Sequence, residues 1–149
     1  MKTATMAADY HSHIKANITA TEAFDGISKV SAWWAKNFEG SAGKQNDVFT
    51  VRFGETFVTF EITEMVRDKW IVWQVRDCHL PWLNDKKEWN GTKVIWEITS
   101  SKINSTQVDM THVGLVPGIE CYDKCESGWD RHIKESLFKL LTEHKGLPS

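Results

Sequence analysis

Toward the end of the chain, from Glu120 to Lys145, apolar residues recur at steps of three and four: Trp129, Ile133, Leu137, Leu140 and Leu141. That spacing gathers them on one face of an α-helix and leaves Asp130, Lys134, Glu135, Lys139 and Glu143 largely on the other. Pro117 and Gly118 punctuate its entry and Gly146 and Pro148 its exit, so the pattern predicts one long amphipathic helix. Between Asp47 and Leu115 the period is two instead. Phe49, Val51 and Phe53 share a face, as do Val58, Phe60 and Ile62, then Ile71, Trp73 and Val75. Val94, Trp96 and Ile98 follow, and finally Val108, Met110 and His112. The turns "GET", "RDK" and "SKINS" separate several of these runs, which predicts an antiparallel meander. Trp70 and Val72 oppose Ile71 and Trp73, so the facing of that strand stays open.

The N-terminal part is shorter in its rhythms. Residues 1–9 read as a frayed tail. His11 to Ile18 alternates, with Ile14, Ala16 and Ile18 on one side and His11, His13, Lys15 and Asn17 on the other, which predicts a half-buried strand. Thr19 and Glu22 match a capping box that opens a helix carrying Phe24, Ile27 and Val30. Gly26 weakens that helix by ~1 kcal/mol relative to Ala. Trp33 and Trp34 stand about 100° apart on a helix, so one of them is expected to face the interior. "EGSAGKQND" is expected to be a turn. Strand, helices, a run of strands and a long helix make an α+β domain over residues 10–149, in which the helix covers the apolar face of the sheet.

Composition changes this picture in one respect. Hydrophobic residues at 41% and charged residues at 26% are ordinary for a globular chain of 149 residues, but eight tryptophans are not. They are either a filled aromatic core or the walls of a cavity. A net charge of −2 argues against a nucleic-acid surface, and no apolar run is long enough for a membrane span. The start of the chain lacks the apolar stretch of a signal peptide. Three cysteines are an odd count without a disulfide framework, so a cytoplasmic location is expected.

The segments "ITATEAFDGI", "AWW", "GKQNDVFTVRF", "KVIWEIT", "VDMTHVGL" and "GWDRHIKESLFKLL" occur in the order typical of the START-like (SRPBCC) superfamily, which this chain resembles after Tyr10. Within it, the chain is similar to bacterial proteins related to the C-terminal domain of the activator of the ninety-kilodalton heat-shock protein ATPase. The resemblance implies a helix-grip fold, a bent antiparallel sheet holding the C-terminal helix with an apolar cavity between them. Such proteins bind small hydrophobic molecules, lipids among them, and relatives include aromatase/cyclase enzymes. No shared catalytic motif transfers.

The expected ligand-binding residues are the aromatics that should converge on that cavity, Trp34, Phe53, Phe60, Trp73, Trp96 and Trp129, joined by Met110, His112 and His132. His112 alternates with Met110 and Val108 and so points inward, and His132 lies three residues after Trp129. The pair could serve as acid and base in a cyclase or hydrolase, or be hydrogen-bonded structural histidines. Cys121 and Cys125 share a helical face, but a second pair of zinc ligands is missing, so packing rather than metal is expected. No metal, cofactor or catalytic residue is assigned. The connection Asp77 to Asn90, "DCHLPWLNDKKEWN", is too long for a hairpin loop. Its Trp82 and Leu83 are expected to plug the cavity mouth as a lid, with a permanent flap or a homodimer contact as the alternatives.

Overall fold

The computed structural model describes residues 8–101 and 105–149. Most of the expected tail and the centre of the "SKINS" turn therefore lie outside the described residues. Asp9, at the tail's end, accepts a hydrogen bond from the Gly114 amide at 3.0 Å.

Seven strands form one antiparallel sheet: β1 (Tyr10–Ala16), β2 (Asn37–Gly40), β3 (Val48–Phe53), β4 (Thr56–Val66), β5 (Trp70–His79), β6 (Lys93–Ser100) and β7 (Thr106–Val113), in the order β1-β7-β6-β5-β4-β3-β2. Six consecutive strands make the meander, and β1 returns to pair with the last of them. The concave face is apolar because the alternation is strict. Even-numbered residues of β1 are buried and His11, His13 and Lys15 are exposed. In β5 Ile71, Trp73 and Val75 turn inward, and Trp70 stays 38% exposed. Its pairing with β4 slips between Thr59 and Phe60 and again between Ile62 and Glu64. Such bulges bend a sheet. At "GET", Gly54 holds a left-handed φ of 63°, a conformation that glycine adopts without a steric cost.

Strand β2 was not foreseen. "NFEG" is short and mostly exposed, so its alternation carries no apolar signal, and pairing with β3 alone defines it.

Helix α1 (Ala20–Ser28) begins with the expected capping box, Thr19 and Glu22 bonding each other's backbone amides. Gly26 has a packing reason: a Cβ there would run into the Leu141 side chain. Helix α2 (Val30–Trp33) differs from expectation, because both tryptophans are inside, Trp33 at 0% and Trp34 at 4% exposure. The two rings stack on each other at 5.9 Å, and Trp34, the residue after this single turn, lies against Phe53, Phe60, Trp73 and Trp129. Trp33 donates its indole N–H to the Ile27 carbonyl at 3.1 Å.

The C-terminal helix runs from Tyr122 to Glu143 but is not uniform. It comprises α3 (Tyr122–Arg131), a π-helical segment at His132–Leu137, and α4 (Phe138–Glu143). The wider turn shifts the phase of the inward face and brings Ser136 into the interior beside Ile133 and Leu137. There the Ser136 hydroxyl donates to the Trp33 carbonyl and accepts from the Leu147 amide, locking helix, α2 and C-terminus together. His144, in the left-handed region at φ 63°, ends the helix ahead of the expected Gly146. Nearer the middle of the helix Tyr10 donates to Asp130 at 2.6 Å and ties β1 to α3.

Candidate functional site

The predicted aromatics separate into two groups. Phe60, Trp73, Trp96 and Met110 have no exposed surface and pack on one another, Trp73 with Trp96 at 5.3 Å between ring centroids and with Phe60 at 5.4 Å. They form a filled core, as does His112 at 0% exposure. None of these five, the expected Trp73, Trp96, Met110 and His112 among them, lines the recess described next.

The other group surrounds a recess of about 140 Å³ where the grip meets the start of the C-terminal helix. Trp34 and Trp129 form its floor, 4.8 Å apart between centroids, with Phe53, Trp82, Trp89 and His132 as walls. Trp34 also touches Phe60 and Trp73, so it joins recess to core. The lining further includes Leu80, Cys125 and Gly128, none of which was expected, and Lys124 stands at the rim. Their signal was present in the spacing: Cys125, Gly128, Trp129 and His132 fall on one helical face, extending the apolar stripe toward the N-terminus. A larger, more polar cleft of about 610 Å³ lies among Lys15, Glu22, Ser105, Leu141 and His144. Among the described residues Phe138 is the one carbocyclic aromatic ring in its lining.

His112 is fixed by chemistry. The Trp129 indole can only donate, so at 3.1 Å it makes Nδ1 of His112 an acceptor. The neutral ring therefore carries its proton on Nε2, which faces the Thr92 hydroxyl at 2.9 Å; that hydroxyl donates onward to the Trp89 carbonyl at 2.7 Å. Burial holds the imidazole down to about 3, well below its ordinary 6.5. Protonation would break the bond from Trp129 in a fully buried site. His112 is a structural group that orients two recess tryptophans, Trp129 through this bond and Trp89, which meets its ring edge-on at 4.6 Å.

His132 is different. It sits at the recess wall between Trp34 and Phe53, their ring centroids 6.2 and 6.3 Å away. Burial, then the neighbouring Arg131 charge, lowers it to about 4, so it is neutral at pH 7 and can donate or accept one hydrogen bond.

The connection after β5 folds as a series of turns pinned to the helix entry. The Asn84 and Asp85 amides donate to the Glu120 carboxylate, and the Cys121 amide to Glu88 at 3.1 Å. Leu83 and Trp89 are buried, at 4% and 7% exposure, and the "NDKK" tip is exposed. Trp82 remains 40% exposed, with the Lys124 ammonium over its ring at 4.7 Å.

The cysteines need a correction. Cys121 and Cys125 are joined as a disulfide rather than packed as separate thiols. The one-turn spacing noted in the sequence puts their Cα atoms 5.6 Å apart, within the reach of such a bond. Cys78 is free and buried, and burial pushes its thiol up.

The chain has a helix-grip fold, and its architecture is similar to that of Aha1 and other START-like proteins of known structure. The Aha1 dimer of Colwellia psychrerythraea has a TM-score of 0.75 at 20% identity, covering 93% of this chain and 98% of that one. A Staphylococcus saprophyticus protein scores 0.69 at 12% identity, covering 95% and 97%. An HSP90 activator from Plasmodium falciparum scores 0.62 at 19% identity, covering 89% and 93%. No family model and no curated protein matches the sequence. Among the described residues no helix is long and apolar enough to cross a membrane.

Proposed function

We propose that this protein is a binding module for a small hydrophobic molecule, held in the recess between Trp34, Trp129 and the segment after β5. One observation carries the reading: an aromatic-walled recess stays open beside a core of fully buried rings, with one neutral imidazole available to orient a polar atom. At about 140 Å³ it is smaller than the ~300–1,000 Å³ of drug-sized sites, so the ligand is a single ring system or the Trp82 segment moves to admit more. We take the location to be cytoplasmic, where a disulfide such as Cys121–Cys125 would be transient.

Gly128 supplies the direct test. A Cβ on it meets nothing within 4 Å, and it lines the recess from an α-helix interior. Gly128→Leu should fill the recess and abolish binding of an apolar fluorescent dye, while stability holds or rises by up to ~1 kcal/mol. The parent should bind the dye with a Kd around micromolar, ~8 kcal/mol, and show quenched Trp fluorescence. Dye binding that survives Gly128→Leu would reject this site.

Trp82→Ala tests the lid. If the segment gates the recess, dye entry and release should both quicken with Tm nearly unchanged. A fixed flap would show as lost stability with unaltered rates, and a dimer contact as a shift to monomer in sedimentation.

A second reading, activation of a chaperone ATPase, draws on the near full-length likeness to Aha1 and to an HSP90 activator. The dimeric state of that Aha1 also supports a homodimer here. A cyclase or hydrolase needs an acid–base pair at the recess, and with His112 committed to Trp129, His132 is the one imidazole among the described residues of its lining.

A further inference from the structure

The convex face of the sheet, away from the recess, gathers three side chains of metal-ligating type. His11 and His13 are two residues apart on edge strand β1 and project from the same exposed face. The register with β7 sets His13 opposite Asp109 and His11 opposite Thr111. One ligand atom from each of His11, His13 and Asp109 lies within 4.8 Å of the other two. His11 Nε2 is already 3.0 Å from Asp109 Oδ1, and His11 Nδ1 is 3.3 Å from the Thr111 hydroxyl. Two ligands on a tetrahedral zinc ion at ~2.1 Å stand ~3.4 Å apart, so the observed spacings bracket that value and exposed side chains can close the remainder.

The charges around the site are mixed: Lys15 shares the exposed face of β1 with the two histidines, while carboxylates stand on the neighbouring strands. Glu97 of β6 is in register with Asp109 from the other side, so two carboxylates face each other across β6 and β7. Like charges directly opposite on a sheet repel. The Gln107 amide, bonded to both Asp109 oxygens at 3.0 and 3.2 Å, fixes the carboxylate but brings no charge.

We propose that His11, His13 and Asp109 form a surface site for a divalent transition-metal ion of the zinc class. Two imidazoles select Zn²⁺, Cu²⁺ or Ni²⁺ over Mg²⁺ and Ca²⁺, which prefer all-oxygen sets. The ion takes the place of the His11–Asp109 hydrogen bond and clips the edge strand to its neighbour. The sequence placed His11 and His13 on one solvated strand face and assigned no metal there; the register that adds Asp109 is visible only in the fold.

The test uses tag-free protein, since a polyhistidine tag would compete. Titration with ZnCl₂ in a calorimeter should give one saturable site, with no heat from MgCl₂. His13→Ala and Asp109→Asn should each weaken it at least ~10–100-fold, a ligand being worth no less than its supporting shell. Both positions are on the sheet surface, so the variants keep the fold. Zinc should raise the Tm of the parent but not of His13→Ala, and His144→Ala, exposed elsewhere, should bind as the parent does. Absence of saturable zinc binding, equal heat from magnesium, or binding unaltered by His13→Ala would each overturn the site.

Discussion

Replacing Trp34 with alanine should destabilise the protein by ~3–5 kcal/mol and abolish dye binding in the same variant. Trp34 is 4% exposed and touches Trp33, Phe53, Phe60, Trp73, Trp129 and His132, so its removal leaves a void bordered by rigid rings that cannot collapse into it. Urea unfolding measures the first effect and dye fluorescence the second. Trp96→Ala separates them: it lies equally deep but lines no part of the recess, and should lose similar stability while a folded fraction still binds. A Trp34→Ala protein of parental stability would mean that the aromatic row carries no load at its junction.

Acidification should weaken the fold well before the carboxylates titrate. His112 and His132 are held at about 3 and about 4 in the folded protein, against 6.5 when free. Both folded values are depressed. Their contribution is therefore complete above pH ~6.5 and is lost as pH falls from there toward the folded values, because the unfolded chain takes up the protons first. Each proton adds a slope of up to about 1.4 kcal/mol per pH unit, so with the unfolded rings partly protonated at pH 6 and His132 beginning to protonate near pH 4.5 the pair gives ~2–2.5 kcal/mol per unit over that interval. A fold of typical stability, ~5–15 kcal/mol, has little margin over that interval. Urea midpoints at pH 7, 6, 5 and 4.5 would measure the slope. His132→Phe should roughly halve it with little change at pH 7. His112→Asn should also flatten it, but from a lower starting stability, because the Thr92 and Trp129 groups lose part of their bonding. A stability level from pH 7 to 5 would contradict the buried, neutral assignment of both rings.

The local order of this chain was written in its residue periods. Step-two alternation from Val48 to His112 specified strands with one apolar face. Thr19 and Glu22 marked a helix start, and the step of three and four after Gly128 specified the covering helix. Each of these is a property of a few neighbouring side chains and of backbone geometry, so it survives translation from sequence to structure. Where the apolar signal was weak the reading failed: β2 has no alternation, and Trp33 and Trp34 could not both be assigned without knowing which rings surround the end of α2.

The site was decided differently. Sequence could say that Trp34, Phe53, Trp73, Trp96, Trp129 and His132 point inward, but packing density is a sum over residues from every strand and helix. Only the folded arrangement shows that Trp73 and Trp96 interlock whereas Trp34 and Trp129 leave space beside Gly128. The same holds for the proton on His112, which depends on a tryptophan donor 17 residues away, and for His11, His13 and Asp109, brought together by strand register across nearly a hundred residues. Local propensity is short-ranged and legible in one dimension; free volume, tautomer and ligand geometry arise from three-dimensional contact, and the tertiary structure alone fixed them.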